Sequence, residues 1–181
     1  HASERTGVLV APPLNFGCSS YFVDFPGTIS FRVQTLINAV EDMVRSVHHQ
    51  GFKRILFVNG HGGNDPAKLA LGELVNELPD LQVSWYDWWK SSSVAAVAEA
   101  HGLGMYHASW MEAFPFLRRS GMPDGIKEAF KPLQILPSKK VRAALVDGVY
   151  GGAFQASDEI MNEVFNAALQ DVLGLLEFKM S

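Results

Sequence analysis

From Ile55 to Leu78 the chain changes character twice. Ile55-Leu56-Phe57-Val58 is a continuous apolar run, Asn59-Gly60-His61-Gly62-Gly63-Asn64 a glycine-rich loop, and Asp65-Pro66 a helix start. An unbroken apolar tetrad reads as a strand buried on both faces of a parallel sheet, because such sheets carry helices on either side. Proline is tolerated at a first helical position, where its missing N–H costs nothing, and Asp65 before it suits the N-cap. Leu69, Leu71, Leu74, Val75 and Leu78 supply the inner face of that helix, and Leu81 to Tyr86 reads as the next strand. Strand, helix and strand joined by short links predict an α/β fold with a mainly parallel sheet. In such sheets ligands bind at the carboxyl ends of strands, where the Asn59–Asn64 loop falls.

The rest of the chain is read against that unit. Val8-Leu9-Val10-Ala11, followed by Pro12-Pro13, is expected to be a buried strand, and Leu14 to Thr28 a long loop rich in aromatic residues. A helix capped by Ser30 or Thr28 is expected to run to about Gln50. Val33, Ile37, Val40, Val44 and Val47 recur along it, and Gly51 ends it. Ser91 to Ala100 reads as a short helix closed by His101-Gly102, Ala108 to Arg118 as a helix bent by Pro115, Gly121 to Pro137 as loop, and Ser157 to Leu176 as a last helix. The 181 residues, 48% of them apolar, suit one domain over 1–181. With 15 basic and 19 acidic side chains the net charge is −4, which gives no reason to expect nucleic acid or an anionic membrane as partner. A single cysteine, Cys18, excludes an internal disulfide and favours a reducing, cytoplasmic setting. The first seven residues lack the layout of a signal peptide, and no apolar run is long enough to span a bilayer.

Three segments carry chemistry. In the Asn59–Asn64 loop three glycines surround one histidine, which leaves the backbone free to take positive φ and to approach a ligand closely. The following helix turns its N-terminal amides to the same space, so an anionic group is favoured there. A plain strand-to-helix turn and an anion cradle for a phosphometabolite are the other readings, although no lysine follows as in a P-loop. Asp24-Phe25-Pro26-Gly27-Thr28-Ile29-Ser30 reads as a turn with a cap. His107, with Glu112 five residues on, can aim a ligand pair or an acid/base pair at one cleft. His48 and His49 near a helix C-terminus, and His101 beside Gly102, read as structural, and Cys18 has no histidine beside it to activate it.

Together these segments resemble the creatininase family. Its motifs are a Phe-Pro-Gly-Thr-x-Ser/Thr turn, an Asn-Gly-His-Gly-Gly-Asn loop and a His-Ala-Gly-x-x-Glu-Thr-Ser segment. Here they stand as Phe25 to Ser30, Asn59 to Asn64, and His107 to Phe114, the last with Ser109, Ala113 and Phe114 departing from the pattern. The resemblance implies a three-layer α/β sandwich, two divalent ions (zinc or manganese, with iron a further option), and hydrolysis of amide-type C–N bonds in small, often cyclic, molecules. It implies His61 and Glu112 as metal ligands and His107 as the histidine that moves protons. Ser19, Tyr86, Gly62, Gly63 and Asn64 are implied around the substrate, and a homo-oligomer, a hexamer in relatives, is implied as the assembly.

The family's other ligands lie in a Glu-x-His segment and a Gly-Thr-Asp turn ahead of the strand matching Val8–Ala11. Neither occurs here, so the chain is expected to be a fragment, with its own N-terminal segment as partner. Creatinine itself is not the expected substrate. Gly63 stands where creatinine-hydrolysing members carry a glutamate, and Tyr86 and Leu103 stand at their pocket tryptophans. A metal-free, non-catalytic subunit of the same fold is the rival reading.

Overall fold

The computed structural model describes residues 1–121 and 123–179. The chain divides into two compact units. The first holds His1–Ser20, Thr28–Trp88 and the residues from Val172 on, and the second Tyr21–Gly27 and Trp89–Asp171.

The first unit contains the strand–helix–strand pattern read above. Strand β1 (Arg54–Asn59) pairs in parallel with β2 (Gln82–Asp87), in a register that runs from Arg54 opposite Gln82 to Asn59 opposite Asp87. Helices α2 (Val33–His49) and α3 (Asp65–Glu77) pack with that pair, and a short α1 (Ala2–Thr6) opens the chain. Leu36, Val40 and Val44 of α2 meet Ala67, Leu71 and Leu74 of α3 together with Cys18 and Leu81. Ile55, Phe57, Val83 and Trp85 pack against them from the strands. Each such aliphatic side chain, taken fully from water, contributes about 1.5–3 kcal/mol. Phe57 and Trp85 are register partners and stack at 5.4 Å. The fold class is α/β with parallel strands, as expected.

Several boundaries and faces differ from the reading. Helix α3 begins at Asp65 with Asn64 in the capping position, because a 3-10 turn over Gly62–Asn64 leads straight into it. Leu69, assigned to its inner face, is 76% exposed. Helix α2 begins at Val33, not at Ser30 or Thr28. Ser30 is held elsewhere, its hydroxyl accepting the Ser19 N–H at 2.8 Å and donating to Phe31 O at 3.1 Å. The buried stripe of α2 is Leu36-Val40-Val44, and Val33 lies outside it. Gly51 ends α2 as read, at φ 99°, with Gly51 N–H on His48 O and Phe52 N–H on Val47 O. That double closure satisfies two carbonyls of the last turn. Strand β1 is not buried on both faces: Val58 is 60% exposed, and β1 is hydrogen-bonded to a strand on one side alone among the described residues. Val8–Ala11 is not a buried strand. No strand among the described residues pairs with it, and Leu9 and Val10 are about three-quarters exposed.

The second unit is built on α4 (Ser92–Ala100), α5 (Ser138–Leu145) and α6 (Asp158–Leu175), with a two-residue antiparallel pair of β3 (Ile126–Lys127) and β4 (Gly152–Ala153). The Ser91 hydroxyl caps α4 by accepting the N–H groups of Ser93 and Val94. Val94 and Ala98 of α4, Val141 and Leu145 of α5, and Met161 and Val164 of α6 are buried with Trp110 and Ala113. The helix expected over Ala108–Arg118 is absent. Ala108 turns to φ 54° and Ser109 is extended, so a single 3-10 turn over Trp110–Glu112 is all that forms. Pro115 has no N–H with which to continue it. The stretch from Gly121 to Pro137 is mainly loop, and Met122 within it lies outside the described residues. Neither α5 nor the β3–β4 pair was anticipated. No helix among the described residues is long and apolar enough to cross a membrane.

Candidate active site

At the carboxyl end of the parallel pair, Asn59 and Asp87 face each other in register, and both are buried. Asn59 Nδ2 donates to Asp87 Oδ1 at 2.7 Å and to the His61 carbonyl at 2.9 Å. Its Oδ1 accepts from the His61 N–H at 3.2 Å and from Asn64 Nδ2 at 3.0 Å. One asparagine thus satisfies both edges of its amide on the loop it begins. Asn64 passes the link on, its Oδ1 accepting the Cys18 N–H at 3.1 Å. Asp87 Oδ1 also accepts from Trp85 Nε1 at 2.9 Å, and Lys68 Nζ stands 3.7 Å from Asp87 Oδ2. Buried polar groups this fully connected hold a loop in one shape.

The glycines serve that shape differently from the reading. Gly62 and Gly63 lie in the 3-10 turn, and none of Gly60, Gly62 or Gly63 takes positive φ. Gly63 is needed for closeness: a Cβ there would stand 1.9 Å from the Cys18 carbonyl oxygen. On the other side of the same approach, a Cβ at Gly17 would stand 2.3 Å from Asn64 Oδ1. His61, extended at φ −153°, accepts the Gly63 N–H at its Nδ1 (3.3 Å). The ring nitrogen nearest the loop is therefore engaged by it. Ser19 is half-buried beside this segment, with its N–H on Ser30 Oγ, and Tyr86 is buried on β2 opposite Val58.

In the second unit His107 is exposed but not loose. Its ring stacks on Phe22 (4.8 Å between centroids, 10° between planes) and meets the Tyr150 ring edge-on at 5.2 Å. The His107 carbonyl accepts the Tyr150 N–H at 3.1 Å. Just beyond it, the Ser109 hydroxyl donates to Tyr106 O at 2.7 Å, and the buried Trp110 donates its indole N–H to Gly104 O at 2.9 Å. These two bonds anchor the turn that presents Glu112 at the surface. Burial raises the Tyr150 phenol above its ordinary range, with the Tyr21 phenol adding to the effect, so Tyr150 is a neutral donor near pH 7. Burial likewise raises the Cys18 thiol, which suits the structural reading of that residue.

The metal donors can be tested on this arrangement. Among the described residues no three His, Cys, Asp or Glu side chains stand close enough together to hold an ion. A catalytic zinc usually takes three protein ligands and a water. His61 belongs to the first unit and Glu112 to the second. Asn59 and Asp87 fix the loop, and Phe22 and Tyr150 hold His107, roles not expected from the sequence. A carboxylate directly after the apolar and aromatic run of β2 was the available signal for Asp87. Nothing in the sequence ties Phe22 or Tyr150 to His107.

A glycine loop that presents a histidine at a parallel strand end, on an α/β frame, defines the class of protein. The creatininase family, described as creatinine amidohydrolase, matches residues 1–176. The chain belongs to that family. Creatinine amidohydrolase of Pseudomonas putida is 27% identical over 194 residues, which covers 94% of this chain and 74% of that relative. The mycofactocin precursor peptide peptidase of Mycolicibacterium smegmatis is 42% identical over 68 residues, 38% of this chain and 27% of that relative. A crystal structure of creatinine amidohydrolase (creatininase) superposes with a TM-score of 0.76 at 22% identity, covering 99% of this chain and 79% of its own. Two further creatininase structures, a variant of Zn-Zn type and a Mn form, each give 0.74 over 97% of this chain and 77% of theirs, at 22% and 23% identity. These likenesses extend the fold assignment to the whole chain.

Proposed function

We propose that the protein is a metal-dependent hydrolase that cleaves a C–N bond in a small, cyclic or open-chain, molecule. The observation that carries this reading is the loop at the end of β1: Asn59, Asp87 and Asn64 hold it so that His61 is presented at a strand end, in a chain of the creatininase family. In this reading His61 and Glu112 each bind one of two divalent ions, zinc or manganese, with iron the third option. The solved relatives of Zn-Zn type and Mn form support that choice. In this reading further donors, beyond these two, complete the site.

His107 moves the proton. Its ring is steadied by Phe22 and Tyr150 in a residue that is exposed as a whole, which suits proton exchange. Ser19, Tyr86, Gly62, Gly63 and Asn64 surround the substrate. A Cβ at Gly63 would clash with the Cys18 carbonyl oxygen, which supports a substrate other than creatinine. One buried cysteine and a net charge of −4 support a cytoplasmic protein without a nucleic-acid partner, and the family supports a homo-oligomer, a hexamer by resemblance.

A non-catalytic subunit is the second reading, favoured by the absence of a three-donor group among the described residues. Turnover of a panel of amides, creatinine included, by the full-length protein separates the two. We expect hydrolysis that falls more than about a hundredfold in His61→Ala and in Glu112→Gln, and that returns after chelation when zinc or manganese is added back. No turnover of any amide at any metal loading favours the subunit.

A further inference from the structure

Beside His107 lies a cleft that the proposed chemistry leaves without a task. Its volume is about 460 Å³, and Tyr21, Leu133, Ile135, Leu136 and Tyr150 form most of its wall. Among the described residues no charged side chain lines it; besides the two phenols, Gln134 supplies its polar side-chain group. Leu133 is 101% exposed and Ile135 is 87% exposed, so its rim offers water an apolar surface that the chain itself leaves uncovered. The volume lies in the range of small-molecule pockets.

Its position says what binds. Tyr150 is at once a wall of the cleft and the ring whose edge meets His107 at 5.2 Å. The backbone makes the same connection: Tyr150 N–H donates to His107 O, and Phe130 N–H donates to Tyr150 O, two residues before the wall segment begins at Pro132. Cleft and histidine are thus hydrogen-bonded into one piece. On its Tyr150 side, His107 therefore neighbours an apolar space with neutral hydrogen-bonding groups.

We propose that this cleft is a specificity subsite that takes an uncharged, apolar substituent of the substrate, about the size of one aromatic or branched aliphatic group. This rests on the hydrolase reading for the role of His107, and it narrows the substrate class to amides with an apolar arm. An acidic arm would have to give up its hydration with no cation in the cleft to replace it.

The test is binding by calorimetry to the full-length protein, as purified and after chelation. The probes are two amides of similar reach, 3-phenylpropanamide and succinamate. The first is expected to bind at least about tenfold tighter, the effect of burying one phenyl group, and to shift the His107 ring signals in NMR spectra. Leu133→Asn with Ile135→Asn, both at exposed positions, removes the apolar contact without adding charge and is expected to cut the preference to less than half. Leu69→Asn, on an exposed leucine of α3, should leave the preference unchanged. Equal binding of the two amides by the unaltered protein overturns the subsite, as does a preference that survives the double substitution. Apolar preference in a protein without turnover or metal keeps the subsite and overturns the hydrolase reading. Turnover without the preference does the reverse.

Discussion

Asp87 ends β2 with its carboxylate out of water and with two neutral donors on one oxygen, Asn59 Nδ2 and Trp85 Nε1. Replacing it by alanine strips both donors of that acceptor inside a buried site, and each stranded donor costs about 1–3 kcal/mol. Asp87→Ala should therefore lower stability by about 2–4 kcal/mol in urea unfolding. Asp87→Asn, which keeps an acceptor oxygen at the same place, should lose less than half of that. A loss under about 0.5 kcal/mol in the alanine variant would mean that the Asn59 network does not hold the loop. The histidine of this site was legible from its glycines alone, because small residues crowding one imidazole are a local signal. Asp87 was not, because its burial depends on the register that sets it against Asn59, a pairing no local pattern encodes.

At the scale of elements, α5 ends in a strained residue. Val146 lies at φ 62°, ψ −57°, with Asp147 N–H on Leu145 O at 2.6 Å, a tight γ-turn that β-branched residues avoid. Such strain costs about 1–3 kcal/mol, whereas glycine's extra freedom in the unfolded chain costs about 0.5–1. Val146 is 68% exposed and loses little burial, so Val146→Gly should raise the thermal midpoint; a lowered midpoint would show the turn to be unstrained. Between α2 and the turn before β2, Asp80 meets Lys53 and His48 at 2.8 and 2.7 Å. The hydrogen bond from Lys53, then that from His48, lowers its carboxyl to about 2. A carboxyl depressed on folding stabilises above its unfolded value and loses that contribution as pH falls through its folded value. The stability difference between the natural protein and Asp80→Asn should fall progressively as pH drops from roughly 5 to below 2. A difference independent of pH across that window would contradict it. Elements with long amphipathic periods or clear stops (α2, α3, α4, α6) and the apolar strands were legible in the sequence. The helix expected at Ala108–Arg118 failed because Ala108 takes a left-handed turn that serves Trp110 and Ser109, a tertiary demand that overrides local propensity. Val8–Ala11 failed for the opposite reason, since its pattern fits a strand but no described strand pairs with it.

For the whole molecule, family membership and a histidine presented at a strand end point to a metal hydrolase, while the described residues bring together fewer than three donors at any one place. Both statements hold if His61 is one necessary ligand among several. The metal content of full-length protein, purified without chelator and measured by mass spectrometry, tests this directly. The natural protein should carry about two zinc or manganese ions per chain, and His61→Ala about one or fewer, with an unchanged circular dichroism spectrum. Equal metal in the two proteins, or none in the natural one, would contradict the assignment of His61 as a ligand.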